Sequence, residues 1–261
     1  MKQAKFILLI LLVVLLCSTA RAETLRCAIE NTPIFPSIMG EGSKIPENNP
    51  GTGIETNNEL GKRLGIQIVT TRYPWKRCLA MLKAGQADLM WTASYKKKRE
   101  EYGRYPMING KVDPLRRFST KSYALYVRND SNISYDGKIF HNINGKVGVP
   151  RGYSIIEKLK KKGLIIEESP GTKNDFKKLL RGRIEAAAAV TYTADHYISK
   201  NDQFKKGIKK IKPLLVTKPY YFMISYQFYE KNPELAEKIW DTLAEIREDK
   251  EFQKSLEKYL K

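Results

Sequence analysis

The chain has 261 residues, 42% of them hydrophobic, with 47 Lys+Arg against 28 Asp+Glu and three cysteines. That length suits one large folded unit or two small ones, and the composition excludes intrinsic disorder, a collagen-like fibre and a polytopic membrane protein. A formal charge of +19 attracts polyanions whatever the fold, yet no zinc-finger, basic-zipper or RNA-recognition spacing accompanies it. The clusters at 96–98, 160–162 and 205–212 fall in polar stretches or at helix ends, so they read as a solvated face and no specific nucleic-acid partner is expected.

Lys2 and Lys5 precede an apolar run from Phe6 to Leu16, and Ala20-Arg21-Ala22 follows. Those eleven apolar residues fall short of the roughly 20 that span a bilayer. The pattern is that of a secretory signal peptide over 1–22, cleaved after Ala22, with a soluble periplasmic chain starting at Glu23. Loss of Lys2, Lys5 and Arg21 lowers the charge from +19 to +16. Only Cys27 and Cys78 remain, and an oxidising compartment favours their union in one disulfide, two buried free thiols being the alternative. Two cysteines and the distant His141 and His196 supply neither a zinc set nor a Cys/His nucleophile signature, so no metal or cofactor is expected.

In chain order, Leu25 to Ile29 and Ile66 to Thr71 read as strands, with a helix from Gly53 to Leu64 between them, closed by Gly65. After Pro74, the residues Trp75, Cys78, Leu79 and Leu82 share one helical face, Gly85 ends the helix and Asp88 to Trp91 is a strand. Such alternation predicts a mainly parallel sheet covered by helices, with ligands at the carboxyl ends of its strands. Lys121 to Val127 reads as a long strand. A second alternating block follows: strands at Lys146 to Val149 and Leu164 to Glu167, helices at Tyr153 to Lys161 and Asn174 to Leu180, the latter ending at Gly182. The run Glu185 to Val190 is ambiguous, because alanine favours helix while the position after Gly182 asks for a strand. Thr191 to Ser199 reads as a helix, Ile211 to Val216 and Tyr220 to Phe228 as strands. Two helices finish the chain, the first capped by Asn232 ahead of Pro233.

Two α/β blocks separated by one long strand and rejoined by another imply two crossings between lobes, a cleft between them and a hinge of paired strands. The expected divisions are 23–120 for the first part of lobe 1, 121–219 for an inserted lobe 2, and 220–261 for the hinge return and the C-terminal helices of lobe 1.

The stretch Tyr73-Pro74-Trp75-Lys76-Arg77-Cys78-Leu79, continuing through Leu82, Gly85 and Asp88 to Ser94-Tyr95-Lys96-Lys97-Lys98-Arg99 and Tyr105-Pro106, resembles family 3 of the bacterial extracellular solute-binding proteins, the amino-acid-type receptors of ABC importers. Val147-Gly148-Val149-Pro150-Arg151-Gly152-Tyr153 and Gly182-Arg183-Ile184-Glu185-Ala186 extend the resemblance over nearly all of the mature chain. It implies a two-lobed periplasmic-binding-protein-like fold of type II, each lobe a mixed, mainly parallel sheet flanked by helices and joined by two hinge strands. It also implies a monomeric receptor that hands a small solute to a membrane permease.

Residue by residue, the resemblance places a carboxylate anchor at Ser94 and Arg99, chemistry that suits the planar donor fork of arginine. It places an aromatic wall at Trp75, with Phe35 and Glu30 as weaker candidates after the first strand, and a loop at Arg151, Gly152 and Tyr153 that presents backbone N–H groups at a helix start. Trp91 could serve cleft or core. One departure concerns the acidic residue that members of the family use to accept an α-ammonium group: that position is Val190, with Thr191 or Glu185 as possible substitutes. A carboxylate without an α-amino group, or an amino acid held differently, follows as the expected ligand. Two other functions remain open: a periplasmic dehydratase-like enzyme using Glu30, Glu167 or Glu168, and a secreted binder of polyanions.

Overall fold

A computed structural model describes residues 23–259. The predicted signal peptide lies outside the described residues, among which no helix is long and apolar enough to cross a membrane. One curled sheet of eight strands runs through the molecule: β1 (Thr24–Glu30), β2 (Gln67–Tyr73), β3 (Leu89–Ser94), β4 (Ser119–Arg128), β5 (Lys146–Pro150), β6 (Ile165–Ser169), β7 (Ala186–Val190) and β8 (Ile208–Ile224), in the spatial order β6-β5-β7-β4-β8-β3-β1-β2. β1 runs parallel to β2 and β3, and β5 parallel to β6 and β7. The long strands β4 and β8 are antiparallel to each other and to their outer neighbours β7 and β3. The outer strands are thus parallel in both halves, while the two strands that pass between the halves are antiparallel.

Helices cover both faces. The first half carries α1 (Thr52–Leu64) and α2 (Trp75–Lys83), and the second carries α3 (Ile155–Lys161), α4 (Thr172–Leu180), α5 (Thr191–Ser199) and α6 (Asp202–Gly207). The chain returns to the first half through α7 (Tyr226–Lys231), α8 (Pro233–Glu248) and α9 (Lys250–Ser255). Each half buries two apolar layers. Leu25, Cys27, Ile29, Trp91 and Phe222 pack under α1 and α8, whereas Ala28, Met90, Ala93 and Tyr221 pack under α2.

This alternation decides the cysteines. Cys27 points into the layer under α1 and α8, and Cys78 on α2 belongs to the layer on the opposite face, so the expected disulfide is corrected to two buried free thiols. Side chains one residue apart on a strand face opposite ways; Ala28, not Cys27, meets α2.

The alanine run resolves as β7, against its helical propensity. Ala186, Ala188 and Val190 pack in one layer of the second half and Ala187 and Ala189 in the other, so the strand is buried on both sides, where small side chains admit close helices. The strands expected at 211–216 and 220–228 are one strand, β8, with a register shift between Ile211 and Val216. Its end is earlier than expected. Ser225 accepts a hydrogen bond from the Phe228 amide at 3.1 Å, starts α7 and turns Phe228 into the core as a helical residue. Asn232 does precede Pro233 at the start of α8, but its side chain makes no capping bond.

Candidate functional site

The sheet brings the carboxyl end of β1, the carboxyl end of β3, the middle of β4 and β8, and the turn before α3 around one constricted cavity. Its lining includes Glu30, Ile34, Trp75, Thr92, Ser94, Arg99, Lys121, Tyr123, Tyr153, Ser154, Val190 and Tyr220. The space among these residues is narrow, and hydrogen bonds from Ser94 to Ser154, Arg99 to Gly152 and Tyr153 to Glu30 cross it, so the two halves stand drawn together.

The Arg99 guanidinium is held in place by neighbouring acceptors and an aromatic ring. Arg99 is 7% exposed; its Nη1 donates to the Ser94 carbonyl at 2.9 Å and to Ser94 Oγ at 3.1 Å, and Nη2 donates across the cleft to the Gly152 carbonyl at 3.2 Å. The guanidinium also lies 5.2 Å from the Trp75 ring centroid. With five donors in a fixed fork, Nε–H and one Nη2 proton stay free for an anion. Ser94 Oγ donates to Ser154 Oγ at 2.8 Å, a second link between the halves, and Tyr105 fixes the Ser94 carbonyl from behind at 3.1 Å.

Thr92 enters the cavity through a bulge. The β3–β8 register shifts between Tyr221 and Met223, so Trp91 and Thr92 together oppose Phe222, and Thr92 takes a φ of +65°. A β-branched residue there is strained by roughly 1–3 kcal/mol, a cost that the surrounding packing must hold.

On the other side, Tyr153 donates from its hydroxyl to Glu30 Oε2 at 3.1 Å, a third link. Burial pushes the Glu30 carboxyl up to about 7, against the opposing pull of the Tyr153 hydrogen bond and of Lys121, Arg99 and Arg72. Arg72, itself buried, holds the 31–44 loop by donating to the carbonyls of Asn31, Met39, Gly40 and Lys44, which fixes the chain immediately after Glu30.

Of the sequence-predicted site, Ser94, Arg99, Trp75, Tyr153 and Glu30 line one cavity. Gly152 contributes its carbonyl rather than an N–H; its amide turns outward to Glu168 Oε2 at 3.0 Å. Its φ of +76° and the 3.2 Å that would separate an added Cβ from Trp75 Cδ1 explain a glycine there. Arg151 is exposed and lines not the cavity but an outer groove that adjoins it at Glu30 and Trp75, its amide tied to the Ser169 carbonyl. Phe35 also lies elsewhere: it stacks on His196 of α5 at 3.9 Å between centroids, and its carbonyl accepts from Thr193 Oγ1. It joins the two halves without lining the cavity. Trp91 belongs to the core. Glu185 accepts from the Asn144 and Gly145 amides, and Glu167 pairs with Lys146 and Lys178, so neither reaches the cavity, while Val190 presents an apolar wall.

The sequence did not single out Lys121, Tyr123, Ser154 and Tyr220, which line the cavity, or Lys218, which reaches Ser154 from beside it. The strand alternation Lys121-Tyr123 placed two polar-ended side chains on one face of β4, but only its pairing with β8 shows that face to be the cavity's.

Residues 43–261 match the family model of the bacterial extracellular solute-binding proteins, family 3. No curated protein matches the chain. Among solved structures, an ancestral arginine-binding protein bound to arginine is 22% identical, with a TM-score of 0.70 over 91% of this chain and 98% of that one. An arginine transport-system periplasmic binding protein from Legionella pneumophila is 16% identical, with a TM-score of 0.70 over 91% and 100% of the two chains. A histidine kinase sensor domain with similarity to periplasmic binding proteins is 16% identical, with a TM-score of 0.71 over 92% and 97%. At such identities the likeness is one of fold.

Proposed function

The chain belongs to family 3 of the bacterial extracellular solute-binding proteins, and on that premise we propose that it is an exported receptor that closes two lobes over a small carboxylate-bearing solute for delivery to an ABC permease. The lobes are 23–120 with 220–261, and the inserted 121–219, hinged at β4 and β8. The observation that carries this reading is the Arg99 guanidinium, fixed on one lobe by Ser94 and bonded to Gly152 on the other, with two donors left for an anion.

Mechanistically, Trp75 and the Ser94–Arg99 pair receive the carboxylate on the open first lobe. The second lobe then brings Gly152, Tyr153 and Ser154, whose contacts exist only when the cleft is shut, so binding shifts the population toward closure. No covalent step is needed. Export, removal of residues 1–22 and a monomeric state complete the proposal; the same closure would serve a signalling receptor equally well.

Calorimetric titration of the purified protein and its Arg99→Ala variant with a panel of small carboxylates tests it. Micromolar or tighter binding of one solute by the wild type and its loss in the variant is the expected result. Absence of binding by every carboxylate overturns the receptor reading, and NMR showing a solute chemically changed after incubation would replace it with catalysis.

A further inference from the structure

Lys121 on β4 and Lys218 on β8 stand directly opposite each other in the ladder, so both side chains leave the same face of the hinge strands. Lys121 is 6% exposed and lines the cavity, and its ammonium has no hydrogen-bond or ion-pair partner among the described residues; it lies 5.1 Å from the Tyr220 ring centroid. Lys218 reaches Ser154 Oγ and lies 5.4 Å from the Tyr123 ring centroid. Like charges directly opposed across a strand pair are unfavourable, and a buried ammonium without an acceptor is costly. Burial lowers both lysines to about 8, which records that cost.

The cavity offsets only part of it. Glu30, the one carboxylate lining the cavity among the described residues, accepts from the Tyr153 hydroxyl at Oε2, and its charge is shared among Lys121, Arg99 and Arg72. Arg99 adds a third cation, while Val190 and Ile34 form apolar wall where an ammonium would need an acceptor. A zwitterionic amino acid would bring a further cation into a cavity lined by Arg99 and Lys121, with Lys218 beside it at Ser154 and one carboxylate among them.

Resting on the receptor reading above, we propose that Lys121 and Lys218 form a second anion subsite beside Arg99, so that the cavity selects a small dicarboxylic acid without an amino group. One carboxylate takes the free edge of Arg99 and the other supplies the acceptor that Lys121 lacks. The hinge strands then carry specificity as well as motion.

Calorimetric titration with malonate, succinate, glutarate, glutamate, butyrate and 2-aminobutyrate, on the wild type, Lys121→Met, Lys121→Arg and Arg99→Ala, tests the inference. At least one of the three amino-free dicarboxylates should bind tenfold or more tightly than glutamate and butyrate. Lys121→Met should reduce that dicarboxylate to the level of butyrate while leaving butyrate within twofold, and Lys121→Arg should retain part of the gain. Circular dichroism and melting curves confirm that each variant is folded, and Lys218→Met gives an independent variant should Lys121→Met not fold. The inference is overturned if glutamate or 2-aminobutyrate binds as tightly as its amino-free partner, or if Lys121→Met weakens butyrate and dicarboxylate alike. Binding of butyrate that depends on Arg99 but gains nothing from a second carboxylate removes this inference and leaves the receptor reading; binding of none of the six removes both.

Discussion

The two basic ends of the cavity are built on opposite plans. Around Arg99 most donors are partnered, by the Ser94 carbonyl and hydroxyl and by the Gly152 carbonyl, with Trp75 beneath the guanidinium. Around Lys121 the buried ammonium has no hydrogen-bond partner among the described residues, with the Tyr220 ring on one side, a second lysine across the ladder and Glu30 as its nearby charge. A planar, permanently charged group can be locked by neutral acceptors without losing its charge, whereas a buried ammonium without them is free to lose its proton. The first end keeps its charge at little cost; the second buries an ammonium that, under the proposal above, becomes an asset only with a ligand.

The sharpest way to break that contrast is removal of the anchor. Arg99→Ala takes away the charge-assisted bonds to the ligand and the donor to the Gly152 carbonyl, while Tyr105 still donates to the Ser94 carbonyl; affinity for the preferred solute should fall at least a hundredfold, about 3 kcal/mol, by calorimetry. An effect smaller than tenfold would mean that the anchor lies elsewhere.

Next in size is the stability of the empty protein. Lys121 has its pKa lowered to about 8 by burial, so the folded state binds fewer protons than the unfolded one between there and the usual lysine range. Stability therefore rises with pH across that window, and the charged form is a cost at neutral pH. Lys121→Met should raise urea-unfolding stability at pH 7 by roughly 1–3 kcal/mol, the gain shrinking toward about pH 10. A destabilised variant at pH 7 would show that Lys121 has a structural partner.

Affinity should also depend on pH. Above about 7 Glu30 gains its negative charge, and above about 8 Lys121 and Lys218 lose their positive charges. Both changes weaken a dianion's hold, so titrations from about pH 6.5 to about pH 9 should show a fall on the order of tenfold, and Lys121→Met should leave only the parts that Glu30 causes near about pH 7 and Lys218 near about pH 8. The smallest expected effect is that of Gly152→Ala. Its positive φ and the close Trp75 ring oppose a Cβ, so closure should weaken by about 1 kcal/mol, seen as a several-fold faster ligand release in stopped-flow fluorescence.

Much of the fold was legible because local patterns carried it. Gly65 ends α1 at a φ of +66°, Gly85 follows α2 at +67°, and the 3.6-residue spacing of Trp75, Cys78, Leu79 and Leu82 put those side chains in one layer. Ser94 and Arg99 were readable because five residues of chain tie the hydroxyl at a strand end to the arginine that folds back on it. Arg151 misled because its neighbour Gly152 turns the chain at that point, and Phe35 because an aromatic near a strand end can as well bridge two lobes as face their cleft. The cysteines misled because compartment and count say nothing of which face of a strand a thiol occupies.

What the sequence by itself determined is the list of elements, the two-block order and the pairing of Ser94 with Arg99, since each depends on residues close together in the chain. Only the tertiary structure decided that Lys121 and Lys218, 97 positions apart, oppose each other, that Glu30 is buried under Tyr153, and that Cys27 and Cys78 lie on opposite faces of β1. Those facts depend on strand pairing and side-chain parity over long separations, where shifting a strand by one residue reverses every face and no local propensity records the choice.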